Sequence, residues 1–225
     1  MSIESNLRRV NETIAQAAER AGRAPSDVRL IGVSKTVGRR EVDEAYAAGL
    51  RDFGENRVQD AKAKFTPPLP PDATLHLIGY LQTNKAKDAA ALFDYVHSID
   101  RLAIIEALNT RAAQLEKRLK VLVQVNIAGE EQKHGCEPEE AAGLVRAASE
   151  CSQLEVVGLM TIAPLSATAE ETRPVFRGLR ELRDRLAEST GLALPELSMG
   201  MTNDYAVAIE EGATMIRVGR AIFQS

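Results

Sequence analysis

Strand-like and helix-like segments alternate along almost the whole chain, and this alternation limits the folds that it can adopt. Eight short runs rich in apolar residues are predicted strands, at residues 28–35, 51–55, 74–80, 95–100, 120–127, 154–162, 194–199 and 215–222. Segments with helical spacing of apolar residues separate them. Eight alternating βα units are typical of a closed parallel barrel, so we predict an α/β fold, a (β/α)8 TIM barrel. The short runs at 51–55 and 194–199 leave an open doubly wound sheet as the alternative.

An additional helix is predicted before the first strand. Apolar residues recur there at helical spacing, and Gly22 and Pro25 end the pattern, which predicts an N-terminal helix over residues 1–22. The proline-rich stretch at 65–72 is compatible with a domain boundary, but a single barrel loop explains it equally well. We therefore predict one domain over residues 1–225.

Composition narrows the possible partners. The chain has 28 Lys and Arg against 32 Asp and Glu, a net charge of −4 and a pI near 5.6. Because the basic residues are spread along the chain, we expect small molecules or proteins as partners, and neither nucleic acid nor a membrane. Cys136 and Cys151 form no CxxC motif, so we expect a reduced, cytoplasmic protein. Nothing in the sequence indicates a secretory signal or an obligate interface, and we expect a monomer.

Two sequence segments at predicted strand ends favour an anion site, because barrel chemistry lies at the carboxyl ends of the strands. "LSMGMTND" places Gly200 and Thr202 after the seventh strand, where a helix start would present backbone N–H groups. "IRVGR" places Gly219 after the eighth strand, where a glycine lets the chain pass close to the same anion. Both motifs are short and also occur in ordinary tight turns.

Lys35 follows the apolar run "VRLIGVS" at the end of the first predicted strand. A lysine there either extends to solvent or serves in chemistry, and the chemical interpretation is a Schiff base with a carbonyl compound. Imine formation needs a neutral amine, which a neighbouring cation favours, and Arg217 would supply that cation. A reactive lysine, an inward arginine and a phosphate site are together what pyridoxal 5′-phosphate (PLP) requires.

Motifs spread over nearly the whole chain are similar to the YggS/PROSC family of PLP homeostasis proteins. They are "VSKT", "FGENRVQ", "LHLIGYLQTNK", "VHSIDR", "GLMTIAP" and "LSMGMTNDYAVAIEEGATMIRVGRAIF". The resemblance implies a barrel like the N-terminal domain of alanine racemase, with PLP bound to Lys35. It also implies that Asn56 lies beside the cofactor ring and that Arg217 faces the pyridine nitrogen. The residues that it places around the phosphate are Ser198, Gly200, Thr202 and Gly219. The ending "IFQS" departs from the family pattern, in which a glycine follows the phenylalanine.

Other polar residues have simpler interpretations. His76 and His97 lie in predicted strands and are interpreted as hydrogen-bonded core histidines, and no metal site is predicted. Lys85 opens a predicted helix and is compatible with a surface position, whereas the resemblance makes Lys133 a candidate second lysine for the cofactor. The charged run at 177–188 has opposite signs at helical spacing, which predicts a solvated helix face.

Three functions are compatible with these residues: a PLP carrier, a PLP-dependent amino-acid racemase, and a PLP-free barrel enzyme that forms imines with its substrates. Arg217 would leave the pyridine nitrogen unprotonated, which makes the ring a poor electron sink. The chain also ends three residues after the last predicted strand, so the added domain of the racemases is not expected. We therefore predict a non-catalytic PLP carrier or regulator in vitamin B6 and amino-acid homeostasis, with apo-PLP enzymes as recipients and no catalytic residues.

Overall fold

The chain folds into a closed eight-stranded parallel barrel in which each strand pairs with the next one and β8 pairs with β1. The structure is a computed structural model, and it describes residues 2–130, 134–165 and 168–224. The strands are β1 Arg29–Val33, β2 Asp52–Glu55, β3 Thr74–Leu77, β4 Tyr95–Ile99, β5 Leu119–Gln124, β6 Leu154–Met160, β7 Glu196–Met201 and β8 Met215–Val218. The barrel prediction is confirmed, and the open sheet is excluded.

Helices connect successive strands on the outside of the barrel. In the described residues they are α1 Ile3–Arg20, α2 Arg39–Ala47, α3 Val58–Lys64, α4 Ala86–Leu92, α5 Leu102–Gln114, α6 Ala141–Ser149, α7 Arg173–Thr190, α8 Tyr205–Glu210 and α9 Arg220–Phe223. The stretch at 65–72 is the loop between α3 and β3. The last predicted strand is too long, because β8 ends at Val218 and a short helix occupies the following residues.

The N-terminal helix α1 packs on the barrel through the apolar face that its spacing predicts. Its buried residues are Ile3, Asn6, Leu7, Val10, Ile14, Ala17 and Ala18. Asn6 is the polar member of this face, and its Nδ2 donates to the backbone oxygen of Ile222 at 2.9 Å. This bond attaches α1 to α9, which follows the end of β8.

Two apolar clusters make up the core. The larger one lies between the helices and the outer face of the strands. The smaller one includes Ile31, Leu122 and Met215 from three different strands and fills part of the barrel interior. Polar side chains from other strands occupy the rest of the interior, among them His76, His97 and Arg217, which are all buried. Because buried polar groups require partners, the interior depends on their hydrogen bonds as well as on apolar packing.

Candidate functional site

A cavity of about 660 Å³ opens at the carboxyl ends of the strands. Five of the seven residues predicted to hold a cofactor line it: Lys35, Asn56, Thr202, Arg217 and Gly219. They come from the ends of β1, β2, β7 and β8, which are far apart in sequence and adjacent around the barrel. Ser198 and Gly200 are not part of the lining.

Lys35 follows a residue that is fixed in place by a buried ion pair. Ser34 is fully buried, and its Oγ donates to Oε1 of Glu55 at 2.7 Å. The Nζ of Lys64 donates to that same Oε1 and to the backbone oxygen of Ser34, both at 2.6 Å. Lys35 itself is exposed at the cavity, and within the described residues its Nζ has no hydrogen-bond or ion-pair partner. β1 is therefore followed by Ser34, which is held by hydrogen bonds, and by Lys35, whose amine is available for chemistry.

The Glu55–Lys64 pair is a feature that the sequence analysis missed. The side chain of Glu55 is 0% exposed and that of Lys64 is 10% exposed, so both charges are largely out of water. Removing one partner of a buried pair typically costs about 3–5 kcal/mol, because the remaining charge is left without compensation. The second carboxylate oxygen, Oε2 of Glu55, has no hydrogen-bond partner in the part of the chain that the structure describes. Only the nine-residue spacing between the two residues could have suggested the pair.

Arg217 lies in the barrel interior with 4% of its surface exposed and also lines the cavity. Its NH1 donates to Oγ of Ser198 at 2.6 Å, and its NH2 donates to the backbone oxygen of Thr161 at 2.8 Å. Burial lowers the pKa of Arg217 to about 10, whereas the charge of Asp204 acts in the opposite direction. The guanidinium is therefore a protonated donor at neutral pH, held by two other strand ends.

Ser198 lies deeper than the predicted phosphate contact would require. Its hydroxyl accepts from Arg217 and is 2.9 Å from Nδ1 of His97, so both neighbours are interior side chains. Gly200 has a φ of +92°, and a Cβ at this position would lie 2.5 Å from that of Ala208. A glycine is needed here because the backbone adopts a left-handed conformation against α8. In this structure the two residues shape the loop after β7, and a direct phosphate contact stays a prediction for both.

Backbone donors lie on the same side of the cavity as Arg217. Among the lining residues that follow β7 and β8, Thr202, Asn203, Gly219 and Arg220 have N–H groups without a protein acceptor within the described residues. A Cβ on Gly219 would lie 3.1 Å from the backbone oxygen of Val33, at the end of β1. Gly219 therefore allows the chain after β8 to pass close to the strand that carries Lys35.

His76 and His97 are core histidines, as predicted, and both are fully buried. Nδ1 of His76 is 2.9 Å from Nε2 of His97, and Nε2 of His76 is 3.0 Å from Oδ1 of Asp52. Burial lowers the pKa of His76, which the hydrogen bond to Asp52 partly offsets. Burial lowers the pKa of His97 well below its usual range, and the charges of His76 and Arg217 lower it further. Both imidazoles are therefore neutral at pH 7.

A second cavity, of about 830 Å³, shares Asn56, Ile78 and Ile162 with the first one. Lys85 lines it from the short turn just before α4. His134 also lines it, is exposed, and stacks on Tyr80 with ring centroids 4.2 Å apart. Lys133, the candidate second lysine, lies outside the described residues.

The charged run on α7 lies on a largely exposed face, as predicted, but its arginines also have a partner outside the helix. Arg177 and Arg180, together with Arg173 before them, all contact the carboxylate of Glu211 at 3.0–3.1 Å. The side chain of Glu211 is only 6% exposed. Because helical spacing alone predicts partners on the same helix, the sequence did not indicate this partner after α8.

Two kinds of site are absent from the described ranges. No group of three or more His, Cys, Asp or Glu side chains within residues 2–130, 134–165 and 168–224 could hold a metal ion. Within the same ranges, no helix is long and apolar enough to cross a membrane.

Known proteins match this fold and sequence over almost the whole chain. The model of the alanine racemase N-terminal domain matches residues 5–225. A pyridoxal phosphate homeostasis protein of Aquifex aeolicus is 44% identical over 223 residues, which are 99% of this chain and 98% of that protein. The chain belongs to the pyridoxal phosphate homeostasis protein family. The predicted resemblance to this family is confirmed.

Solved structures agree with membership of the pyridoxal phosphate homeostasis family. The structure of PipY from Synechococcus elongatus with PLP bound has a TM-score of 0.81 and 41% identity, and the match covers 93% of this chain and 99% of that one. An alanine racemase of Clostridium difficile has a TM-score of 0.76 at 13% identity, and the match covers 56% of its chain. The second likeness shows the fold alone, because the identity is so low.

Proposed function

We propose that this protein binds PLP and acts as a carrier or regulator in vitamin B6 and amino-acid homeostasis. The observation that carries the proposal is the meeting of the Lys35 amine and the Arg217 guanidinium on one cavity. The cavity volume of about 660 Å³ lies within the usual range of cofactor sites. PipY, at 41% identity, has PLP bound in its solved structure, and the Aquifex relative is named for PLP homeostasis.

The groups that line the cavity fit this cofactor. PLP has three groups to be bound: an aldehyde, a pyridine ring and a phosphate. The aldehyde condenses with an amine and releases its oxygen as water. Lys35 offers the amine, Arg217 offers donors to the pyridine nitrogen, and Asn56 lies between the two cavities. The N–H groups near Thr202 and Gly219 offer donors to the phosphate. Ser198 and Gly200 support the loop after β7, which contains Thr202.

The phosphate is expected to contribute strongly to affinity. Charge-assisted hydrogen bonds contribute about 1.5–3 kcal/mol each, so two or more of them amount to a 100-fold or larger effect, to an order of magnitude. Titration followed by visible absorbance should therefore show much tighter binding of PLP than of pyridoxal, which lacks the phosphate. Inorganic phosphate should compete with PLP and leave pyridoxal unaffected. Equal affinities for the two aldehydes would contradict this assignment of the loops.

The proposal includes the absence of enzyme-like turnover. Arg217 retains its proton at neutral pH, so a ring nitrogen beside it accepts a hydrogen bond and is not protonated. Transamination depends on a protonated ring, and this arrangement disfavours it. The Aquifex relative is named for homeostasis and not for a reaction.

Incubation of the loaded protein with single enantiomers of alanine and serine should leave chirality unchanged and form no keto acid. A turnover of about 1 s⁻¹ or faster that disappears in Lys35→Ala would instead indicate a racemase or lyase. Transfer of PLP to an apo-PLP enzyme should proceed faster than through free solution, and equal rates would reduce the role to storage. The proposed setting is the cytoplasm, with the protein as a monomer.

A further inference from the structure

A hydrogen-bond chain crosses the barrel interior from Asp52 at the amino end of β2 to Arg217 at the cavity. Its links are Asp52 to His76 at 3.0 Å, His76 to His97 at 2.9 Å, His97 to Ser198 at 2.9 Å and Ser198 to Arg217 at 2.6 Å. His97 lies in β4 and Ser198 in β7, and these strands are not neighbours in the sheet. Their contact therefore passes through the interior. The three middle members are 0% exposed, so the bonds between them lie out of contact with solvent.

Only one arrangement of protons allows every hydrogen bond from Asp52 to Arg217 to form. At one end the carboxylate of Asp52 accepts, so Nε2 of His76 must carry a proton and its Nδ1 must accept. Nε2 of His97 then donates to His76, which leaves Nδ1 of His97 as an acceptor. At the other end Arg217 only donates, so the Ser198 hydroxyl accepts from it and gives its own proton to His97. The two charged ends therefore fix which group donates and which accepts in every hydrogen bond between them.

Other charged and aromatic groups surround the lower part of this chain. The ring of Tyr95 stacks on His76 with centroids 4.6 Å apart. The hydroxyl of Tyr95 accepts from Arg29 at 2.9 Å, and Arg29 also lies 3.7 Å from Asp52. These contacts fix the Asp52 end of the hydrogen-bond chain, so that a change in the orientation of Asp52 acts on His76 directly.

We infer that Asp52, His76 and His97 are positioning residues for Arg217, which they hold through Ser198 in one orientation toward the cavity. Without His97 the Ser198 proton loses its acceptor, so the serine side chain is no longer fixed and its oxygen is free to turn away from the guanidinium. Arg217 would then lose its bond to Ser198 and keep the one to Thr161. Positioning by fixed supporting bonds is how a binding group retains its geometry before the ligand arrives. The effect on the cofactor rests on the proposed function, whereas the hydrogen-bond chain does not.

The first experiment uses the unloaded wild-type protein and ¹⁵N NMR at pH 7. We expect His76 and His97 to be neutral with the proton on Nε2 in both. We also expect separate terminal nitrogen signals for Arg217, because two of its donors are held and rotation of the guanidinium is restrained. Protonation on Nδ1 of either histidine, or averaged Arg217 signals, would overturn the inference. This measurement needs no variant and no PLP.

The second experiment compares three variants. His97→Leu should average the Arg217 signals and weaken PLP binding about tenfold, the effect of losing one such restraint. His97→Gln should restore both, because its amide can accept from Ser198 and donate to His76. Leu108→Ala is the matched control, because it removes buried side-chain atoms from α5 outside the chain and should lower the thermal midpoint alone.

The outcomes separate the inference from the proposed function. Unchanged Arg217 signals in a folded His97→Leu variant would refute the positioning role. So would the same loss of affinity in Leu108→Ala. A wild-type protein with the expected NMR signals but no affinity for PLP would refute the proposed function and leave the hydrogen-bond chain established.

Discussion

Replacing Lys35 with alanine is expected to abolish the visible absorption band that the wild-type protein forms with PLP. The amine at this position has no partner within the described residues and lies at the cavity that also holds Arg217. Reduction with borohydride should attach PLP to the wild-type peptide that contains Lys35 and to no peptide of the variant. The effect is all-or-none, because it removes the only group assigned to the covalent bond.

Two controls make this result specific. Lys87→Ala removes an exposed lysine from α4 that lines neither cavity, and it should leave the band unchanged. The Lys35→Ala variant should keep measurable non-covalent affinity for PLP and should still bind PLP more tightly than pyridoxal, since the phosphate donors remain. A label on Lys85 or Lys133 in the wild-type protein would show that the wrong lysine has been assigned.

The fold and much of the site could be predicted from sequence, because both depend on local patterns. Strand and helix periodicity gave eight units, and barrel geometry then assigns chemistry to the strand ends. This reasoning assigns Lys35, Thr202, Arg217 and Gly219 to one site, and the family resemblance adds Asn56. The errors lie at element ends, such as the residues after Val218, where a short helix replaces the predicted strand.

The supporting contacts could not be predicted, because they join side chains across the barrel or between separate elements. Nothing local relates His97 to Ser198, which are 101 residues apart. The same is true of Glu211, whose arginine partners lie about 30 or more residues earlier. Their positions in predicted strands correctly indicate that the two histidines are hydrogen-bonded core residues. Their partners do not follow from the strand pattern, and those partners connect the histidines to the cavity.

Acidification from pH 6.5 to pH 5 is expected to destabilise the folded protein markedly, through His76 and His97. Burial lowers the pKa of both below the value of about 6.5 that an unfolded histidine has. Well above pH 6.5 both histidines are neutral in the folded and in the unfolded protein, so they add no pH dependence to the free energy of unfolding. Below it the unfolded chain binds protons that the folded chain does not, so the free energy of unfolding decreases as the pH falls.

The size of this effect follows from the number of groups. Each histidine contributes at most about 1.4 kcal/mol per pH unit to the slope of the unfolding free energy. The pair therefore contributes a slope of up to about 2.7 kcal/mol per pH unit between the pKa of the unfolded histidines and the lower pKa values of the folded ones. Salt-bridged carboxylates act lower in pH, because the bonds from the nearby arginines hold the pKa values of Glu170 and Glu210 below their usual range. Burial raises the pKa of Asp204, so this carboxyl acts in the direction opposite to the histidines, and a net loss of stability from pH 6.5 to pH 5 is assigned to the histidines. Urea unfolding at several pH values measures the slope directly.

The double variant His76→Gln/His97→Gln provides the decisive comparison. Glutamine can keep the hydrogen bonds of the interior but does not titrate, so the slope should disappear while most of the stability at pH 7 remains. A wild-type protein whose unfolding free energy is constant from pH 6.5 to pH 5 would show that the interior accommodates protonated histidine. Because protonation at Nδ1 of His97 would remove the acceptor for the Ser198 hydroxyl, such a result would also show that the single proton arrangement is lost below pH 6.5. The acid slope and the NMR signals therefore test the same buried chain by independent measurements.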